Sequence, residues 1–429
     1  MMGLAEDGGL LIPESIPALT PPEADYPELA RSVLEPFAPG LPWPELLARA
    51  YAPERWPRGV APLTRLGDDF LLELYHGPTY SFKDVALQLL GELFEHLLGQ
   101  SGQELNILAA TSGDTGGAAI YGVRARERIR IFVMFPKGRI SRVQELQMTS
   151  VLDDNVFNLA VETDFDGCQH LLKELSADLE FKRAYRLGAV NSVNWARVLA
   201  QTVYYFAAWH QVRRETGAER VSFCVPTGNF GDVLAGWYAS RMGLPVARLV
   251  VATNDNDILA RFFQTGVYQR GEAVNTLAPA MDIQVASNFE RYLFYRLGEG
   301  VTAAMEQFAR TGRLEVPGDD PLFESGSASR QDILATIRDV HERYGKLIDP
   351  HTAAGVAVAA RLERDEPMVC LATADPIKFP EAVREALGRE VRFERDNYEG
   401  RPTRCQTLPA SADELRRFIA SKVDRTPPR

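Results

Sequence analysis

The stretch His76-Gly77-Pro78-Thr79-Tyr80-Ser81-Phe82-Lys83-Asp84 sets one lysine at the start of an apolar-periodic segment. An ammonium group at the positive end of a helix is disfavoured by about 1 kcal/mol, and burial disfavours it further. A lysine held there is poised as a neutral amine, the form that attacks carbonyl compounds to make Schiff bases. Two Gly-rich stretches add a second kind of chemistry. Thr111-Ser112-Gly113-Asp114-Thr115-Gly116-Gly117 and Pro226-Thr227-Gly228-Asn229-Phe230-Gly231-Asp232 each follow a strand-like run and enter a helical one. Backbone N–H groups at such a junction bind anions. Neither stretch is a G-x-x-x-x-G-K-[ST] or a G-x-G-x-x-G fingerprint.

Taken singly, each loop could equally be a tight strand-to-helix turn, and Lys83 a solvated lysine whose amine snorkels outward. Together they describe a site for a ligand with two anionic ends, or for an anionic cofactor beside an anionic substrate. Pyridoxal phosphate would use all three features: a phosphate for one loop, an aldehyde for the lysine, and a substrate carboxylate for the other loop.

The elements that must position these groups are readable from periodicity. From Val85 the apolar residues Val85, Ala86, Leu89, Leu90, Leu93, Phe94, Leu97 and Leu98 follow a 3.6-residue period. Ser81 with Asp84 three residues on reads as an N-cap and a capping-box variant. Strand-like runs at 104–110, 129–136, 155–162, 220–226, around Arg248–Asn254 and from Met368 alternate with helical stretches. Asp349-Pro350 reads as an N-cap followed by proline at the first helical position. The alternation predicts an α/β architecture with mainly parallel sheets. Ligands on such sheets sit at the carboxyl ends of strands. Residues 1–73 read as a proline-rich mixed segment with a short helix in WPELLARAYAPERW. A smaller α/β lobe is expected over 74–205 and a larger one over 206–429. Residues 311–331, where periodicity lapses, are expected to form a flexible or inserted stretch, and the tail around 426–429 to be disordered.

Bulk composition narrows the class. The 429 residues are 45% hydrophobic and 24% charged, with a formal net charge of −11, which argues against a nucleic-acid or anionic-membrane surface. Cys168, Cys224, Cys370 and Cys405 are scattered, as thiols in a reducing compartment would be. The six histidines show no metal-ligand spacing, so no metal site is expected. The N-terminus is acidic where a signal peptide would be basic, and no apolar run approaches the roughly 20 residues of a membrane span. A cytoplasmic protein is expected.

Nine ordered segments carry a more specific signal: HGPTYSFKD, LAATSGDTG, PKGRIS, NSVNWARVLAQTVYY, VPTGNFGD, TNDND, AMDIQVASNFER, DPHTAAG and LATADPIKFPE. Over roughly residues 70 to 385 they closely resemble the threonine synthase family, as does the opening GLAEDGGLLIPE. The resemblance implies a pyridoxal-phosphate enzyme of the tryptophan-synthase-like fold (fold type II), two open mainly parallel-sheet lobes with an N-terminal extension. It implies that Lys83 forms the Schiff base, that Gly228, Asn229, Phe230 and Gly231 hold the cofactor phosphate, and that Thr373 faces the pyridine nitrogen. Thr111, Ser112, Gly113, Asp114 and Thr115 would serve the substrate carboxylate or the cofactor's phenolic oxygen, a division left open. Lys137, Arg139, Arg142, Asn194 and Arg197 are candidates for the substrate phosphate. His76 and His351 are either structural or near the cofactor. The implied reaction converts O-phospho-L-homoserine and water to L-threonine and phosphate in a monomer or homodimer. The alternatives are a phospholyase releasing 2-oxobutyrate and ammonia, and a non-catalytic relative. The sequence departs from the family pattern at Tyr80-Ser81-Phe82, where an alanine is expected before Phe-Lys-Asp, and at Pro226-Thr227, where Pro-Ser is commoner. An extra activator-binding domain of the plant type is not expected.

Overall fold

The computed structural model describes residues 9–316, 319–396 and 398–424. The first eight residues of the chain, and with them part of the family-like opening, lie outside the described residues, as does the tail at 426–429. Two sheets organise the chain. The larger has six strands in the order Leu63–Leu66, Asp69–Glu73, Met368–Ala372, Val221–Pro226, Val246–Thr253 and Phe323–Ser327. Its first two strands pair antiparallel and the rest parallel. The smaller sheet is parallel throughout, in the order Gln406–Leu408, Val156–Val161, Ile129–Pro136, Leu105–Ala110 and Leu187–Gly188. No helix among the described residues is long and apolar enough to cross a membrane.

Burial on both faces explains why the strands read as continuous apolar runs rather than alternating ones. In Ile129–Pro136, Ile131, Val133 and Phe135 enter one core cluster while Phe132 and Met134 enter the cluster behind the sheet. The larger sheet divides in the same way: Phe223 and Val225 face one core, and Cys224 the other.

The sheets do not follow simple cuts along the chain. The strands Leu63–Leu66 and Asp69–Glu73, from the proline-rich first segment, belong to the larger sheet, and Gln406–Leu408 returns to the smaller one. The stretch expected to be flexible or inserted is more ordered than its composition suggests. Arg313–Glu315 pairs antiparallel with Val267–Gln269, and Phe323–Ser327 closes the edge of the larger sheet beside Val246–Thr253; residues 317–318 lie outside the described residues. Its Gly and Ser content hid a strand because backbone pairing there is supplied by an already formed neighbour.

The helix Lys83–Ser101 is the spine between the two lobes. Val85, Ala86, Leu89 and Leu93 pack into the large core, whereas Leu87, Leu90, Phe94 and Leu98 pack into the core of the smaller sheet. It is therefore buried almost all round, not amphipathic with one wet face. It crosses the helix Asp114–Val123 through paired glycines. A Cβ at Gly91 would stand 1.9 Å from the Gly122 carbonyl oxygen, and one at Gly122 2.5 Å from that of Leu87. This close approach delivers Asp114 to Lys83. Gly91→Ala is therefore expected to destabilise the fold by about 2 kcal/mol, because backbone cannot repack as a side chain can. Gly99, in the same helix but with nothing within 4 Å, should respond oppositely, Gly99→Ala stabilising by up to about 1 kcal/mol. Chemical denaturation of both variants checks the pair.

Candidate active site

The segment before the lysine is pinned to the end of the strand Met368–Ala372. Leu74 N–H donates to Ala372 O (3.0 Å), Phe82 N–H to Thr373 O (2.8 Å) and Asp375 N–H to Tyr80 O (3.0 Å), and Ser81 bridges Ala374. This places Lys83 and Thr373 on the same wall. The helix starts at Lys83 itself, with Phe82 at the N-cap and no side-chain cap bond. Ser81 Oγ does reach the first turn, accepting from Lys83 N–H at 3.4 Å, but the full Ser81–Asp84 capping box does not close because Asp84 turns back into the preceding loop, accepting from Thr79 N–H (2.7 Å) and Thr79 Oγ1 (2.6 Å). Burial raises the Asp84 carboxyl to about 6 in spite of those bonds.

Three strand ends converge on one cavity of about 760 Å³, counting the space at its mouth. Its walls include Lys83, Asp114, Thr115, Arg197, Thr373 and the run Gly228–Asp232. Lys83 is only 9% exposed. Its Nζ lies 3.3 Å from Asp114 Oδ2 and 4.8 Å from the centre of the Phe82 ring. Burial lowers the pKa of this amine, partly countered by Asp114, with Lys378 and Arg197 reinforcing the drop. Burial alone would raise Asp114, but the ammonium groups of Lys378 and Lys83 and the Gln144 amide outweigh it and hold the carboxyl well below the usual range.

The structure sorts the remaining candidates. Thr111 does not line the cavity but braces the loop, its Oγ1 accepting from Gly113 N–H and Gly116 N–H at 2.9 Å each. Ser112 and Gly113 lie in the same turn without lining the cavity. Asn194 caps the helix Trp195–Thr216, accepting from Ala196 N–H at 3.0 Å. Lys137 is not brought to the site: it is exposed and pairs with Glu162 at 3.1 Å. Arg139 is exposed, and Arg142 is exposed with Glu145 and Glu399 beside it. Segment resemblance could not tell the wall-facing cations from the solvated ones. Arg197 does reach the wall. Its Nη1 donates to Val190 O at 2.9 Å, its Nε is buried with no partner among the described residues, and burial lowers its pKa to about 10.

His76 is structural: Arg395 donates to its Nδ1 (2.6 Å), leaving Nε2–H to donate to Glu73 (2.8 Å). His351 lines the cavity, but its Nδ1 contacts Asp349 Oδ2 at 2.6 Å and its Nε2 accepts from Ala280 N–H at 3.2 Å. Asp349 also caps its helix, with Pro350 at the first turn as expected.

Four groups escaped the sequence reading. Ser192, one position past Asn191 in NSVNWAR, lines the cavity with its Oγ 2.8 Å from Ser287 Oγ. Gln201 lies on the same wall, on the helix begun by NSVNWAR. Asp232, which closes the second loop but was given no role of its own, accepts from Tyr204 (2.5 Å) and Tyr205 (2.9 Å), and burial raises its carboxyl to about 6. Lys378, in LATADPIKFPE, is fully buried behind Asp114. A lysine inside an otherwise apolar strand-end segment was the available signal for the last.

The second loop fits an anion. The N–H groups of Gly228, Asn229, Phe230, Gly231 and Asp232 have no protein acceptor among the described residues, although they open the helix Gly231–Arg241. The Phe230 side chain faces away: 1% exposed, it packs against Phe289 and Phe263 while its backbone sits at φ +63°. Its contribution to the site is therefore its amide, with a locally strained backbone held by aromatic packing. Asn288 grips the loop from outside, its N–H and Nδ2 donating to Asn229 O at 3.0 and 3.2 Å. Arg291 in turn donates to Asn288 Oδ1 (2.5 Å), Val193 O (2.6 Å) and Leu11 O (2.8 Å).

A buried amine, an unpaired amide cradle and a hydroxyl-bearing strand end on this two-sheet frame define a fold-type II pyridoxal-phosphate enzyme. A family model described as pyridoxal-phosphate dependent enzyme matches residues 60–315, and models of the threonine synthase N terminus and C-terminal region match 1–49 and 352–419. The chain is 44% identical to the threonine synthase of Pseudomonas aeruginosa, over 100% of this chain and 96% of that one. The pyridoxal-phosphate-bound threonine synthase of Brucella melitensis superposes with a TM-score of 0.92 at 41% identity, covering 98% of this chain and 95% of that one. The yeast threonine synthase does so with 0.91 at 36%, covering 98% and 94%. The chain belongs to the threonine synthase family.

Proposed function

We propose that this chain converts O-phospho-L-homoserine and water to L-threonine and phosphate, with pyridoxal phosphate as its cofactor. The observation that carries the reading is the convergence of Lys83, the Gly228–Gly231 amides and Thr373 on one cavity. When bound, the cofactor would supply an aldehyde for Lys83 and an electron sink for negative charge developing on the substrate carbons. The Gly228–Asp232 amides would hold its phosphate at the helix start, and Thr373 would offer its ring nitrogen a hydroxyl, not a carboxylate.

Lys83 removes the Cα proton and then moves a proton from Cβ; its lowered pKa is the property a base needs near neutral pH. The Cγ–O bond breaks with loss of phosphate, hydroxyl from water adds at Cβ, and protons return to Cα and Cγ. Thr115, on the cavity wall, binds the substrate carboxylate. Arg197 and Ser192 meet the leaving phosphate, the unpaired Arg197 Nε being a donor in want of an acceptor.

The test is to supply the cofactor-loaded protein with O-phospho-L-homoserine and quantify phosphate and the organic product. Equal amounts of threonine and phosphate are expected. Phosphate with 2-oxobutyrate and no threonine would overturn the hydration step, and no turnover at all would overturn the substrate.

A further inference from the structure

Behind the reactive amine stands a second lysine that never touches the cavity. Lys378 ends the 3₁₀ turn Pro376–Lys378 and is 0% exposed. Its Nζ lies 2.9 Å from Asp114 Oδ1 and donates to Thr79 O (2.7 Å) and Gln147 Oε1 (3.0 Å). Three partners satisfy all three of its protons. Asp114 is thus shared by two ammonium groups: Lys378 holds Oδ1 at 2.9 Å, together with Gln144 Nε2 at 2.9 Å, while Lys83 has only Oδ2 at 3.3 Å. The tighter pairing lies with the lysine that does no chemistry.

We propose that Lys378 is a positioning residue which, by holding Asp114 and countering its charge, stops that carboxylate from pairing fully with Lys83 and so sets the pH range in which Lys83 acts as a free amine. This rests on the reading of Lys83 as the cofactor lysine. A carboxylate 3.3 Å away in a buried site would otherwise stabilise the ammonium form and spoil both the nucleophile and the base. The other groups facing Lys83 from the packed elements are Arg197 on the helix Trp195–Thr216, Asp232 on Gly231–Arg241 and His351 on Pro350–Ala359. Asp84 acts on Lys378 from the spine helix. None of these four contacts Asp114; among the described residues its ion-pair partners are Lys83 and Lys378. Lys378 adds a further effect of the same sign, since its positive charge repels a proton on Lys83.

The experiment follows covalent capture of pyridoxal phosphate by cofactor-free protein across pH, by absorbance, without substrate or turnover. In Lys378→Met the capture midpoint is expected to move to higher pH, with capture near neutrality slowed about tenfold, the consequence of one pH unit. Asp114→Asn should move it to lower pH. The double variant, in which neither charge remains, should lie between the two, a reversal that general damage to the fold cannot produce. A Lys378→Met midpoint equal to that of the unaltered protein overturns the proposal, as does a double variant shifted as far as Lys378→Met alone. Should Lys378→Met fail to fold, Lys378→Gln, which removes the charge but keeps a donor for Thr79 O, takes its place: a midpoint above that of the unaltered protein supports the role, and an equal one overturns it. Absence of capture by the unaltered protein would instead overturn the assignment of Lys83.

Discussion

Lys83→Ala is expected to abolish covalent capture of pyridoxal phosphate and to lower threonine formation by about 10³-fold or more, in a protein that still folds. The loss combines two roles. On the proposed reading the amine would be the nucleophile that anchors the cofactor and the base at Cα and Cβ, where positioned proton transfer alone is worth about 10²–10⁴-fold. The fold should survive because the truncation strands no charge: Asp114 keeps Lys378 at 2.9 Å and Gln144 at 2.9 Å, and the spine helix keeps its apolar contacts on both sides. Cofactor retained only through its phosphate would dialyse away. Absorbance after dialysis, with circular dichroism as the folding control, separates lost chemistry from lost structure. A variant still turning over at a tenth of the original rate would mean that the base is another group.

The second large effect is expected at the phosphate cradle. A Cβ on Gly228 would stand 2.4 Å from the Ala280 carbonyl oxygen and 3.1 Å from Met281 Cα. Both are backbone atoms, so relief requires the loop itself to move away from the 3₁₀ turn Pro279–Met281. Gly228→Ala is therefore expected to weaken cofactor affinity by about 10²-fold, since a shift near 1 Å at a positioning element costs that much, and to lower stability by about 1–3 kcal/mol. Gly231→Ala is the paired control. Its Cβ would meet only the Asn288 side chain, Nδ2 at 3.3 Å and Cγ at 3.9 Å, which needs a few tenths of an ångström of give from a group held by Asn229 O and Arg291, a smaller disturbance than a backbone clash. Titration of both cofactor-free variants with pyridoxal phosphate checks the contrast. Equal affinities would mean that the cofactor phosphate lies elsewhere.

These two sites show how legible the chemistry was in the chain. Lys83 and the second loop stand out because each combines a residue type with a junction: an amine at a helix start, and amides at a strand-to-helix turn. Both properties are local, and local geometry carries them into the folded protein. The strands at 105–110, 129–136, 221–226 and 246–253 were equally visible, since a parallel sheet covered on both faces leaves unbroken apolar runs. Phe323–Ser327 was not, because its pairing comes from a distant neighbour and its own residues carry little strand preference.

The α/β class, a lysine at a helix start, two Gly-rich strand-to-helix loops and the order of elements that brings them to strand ends were all legible along the chain. Only the tertiary structure decided which charged groups share the cavity. Arg197 is inside and Lys137 outside, although both lie in family-like segments, because burial depends on packing against elements far along the chain. It likewise decided that Asp84 serves Thr79 instead of capping its own helix. And it alone placed Lys378, 295 positions from Lys83 in a 429-residue chain, on the opposite oxygen of the same carboxylate. Periodicity reports which face of an element is buried, whereas the partner of a buried charge is set by the meeting of elements distant in sequence, a relation that spacing along one chain does not encode.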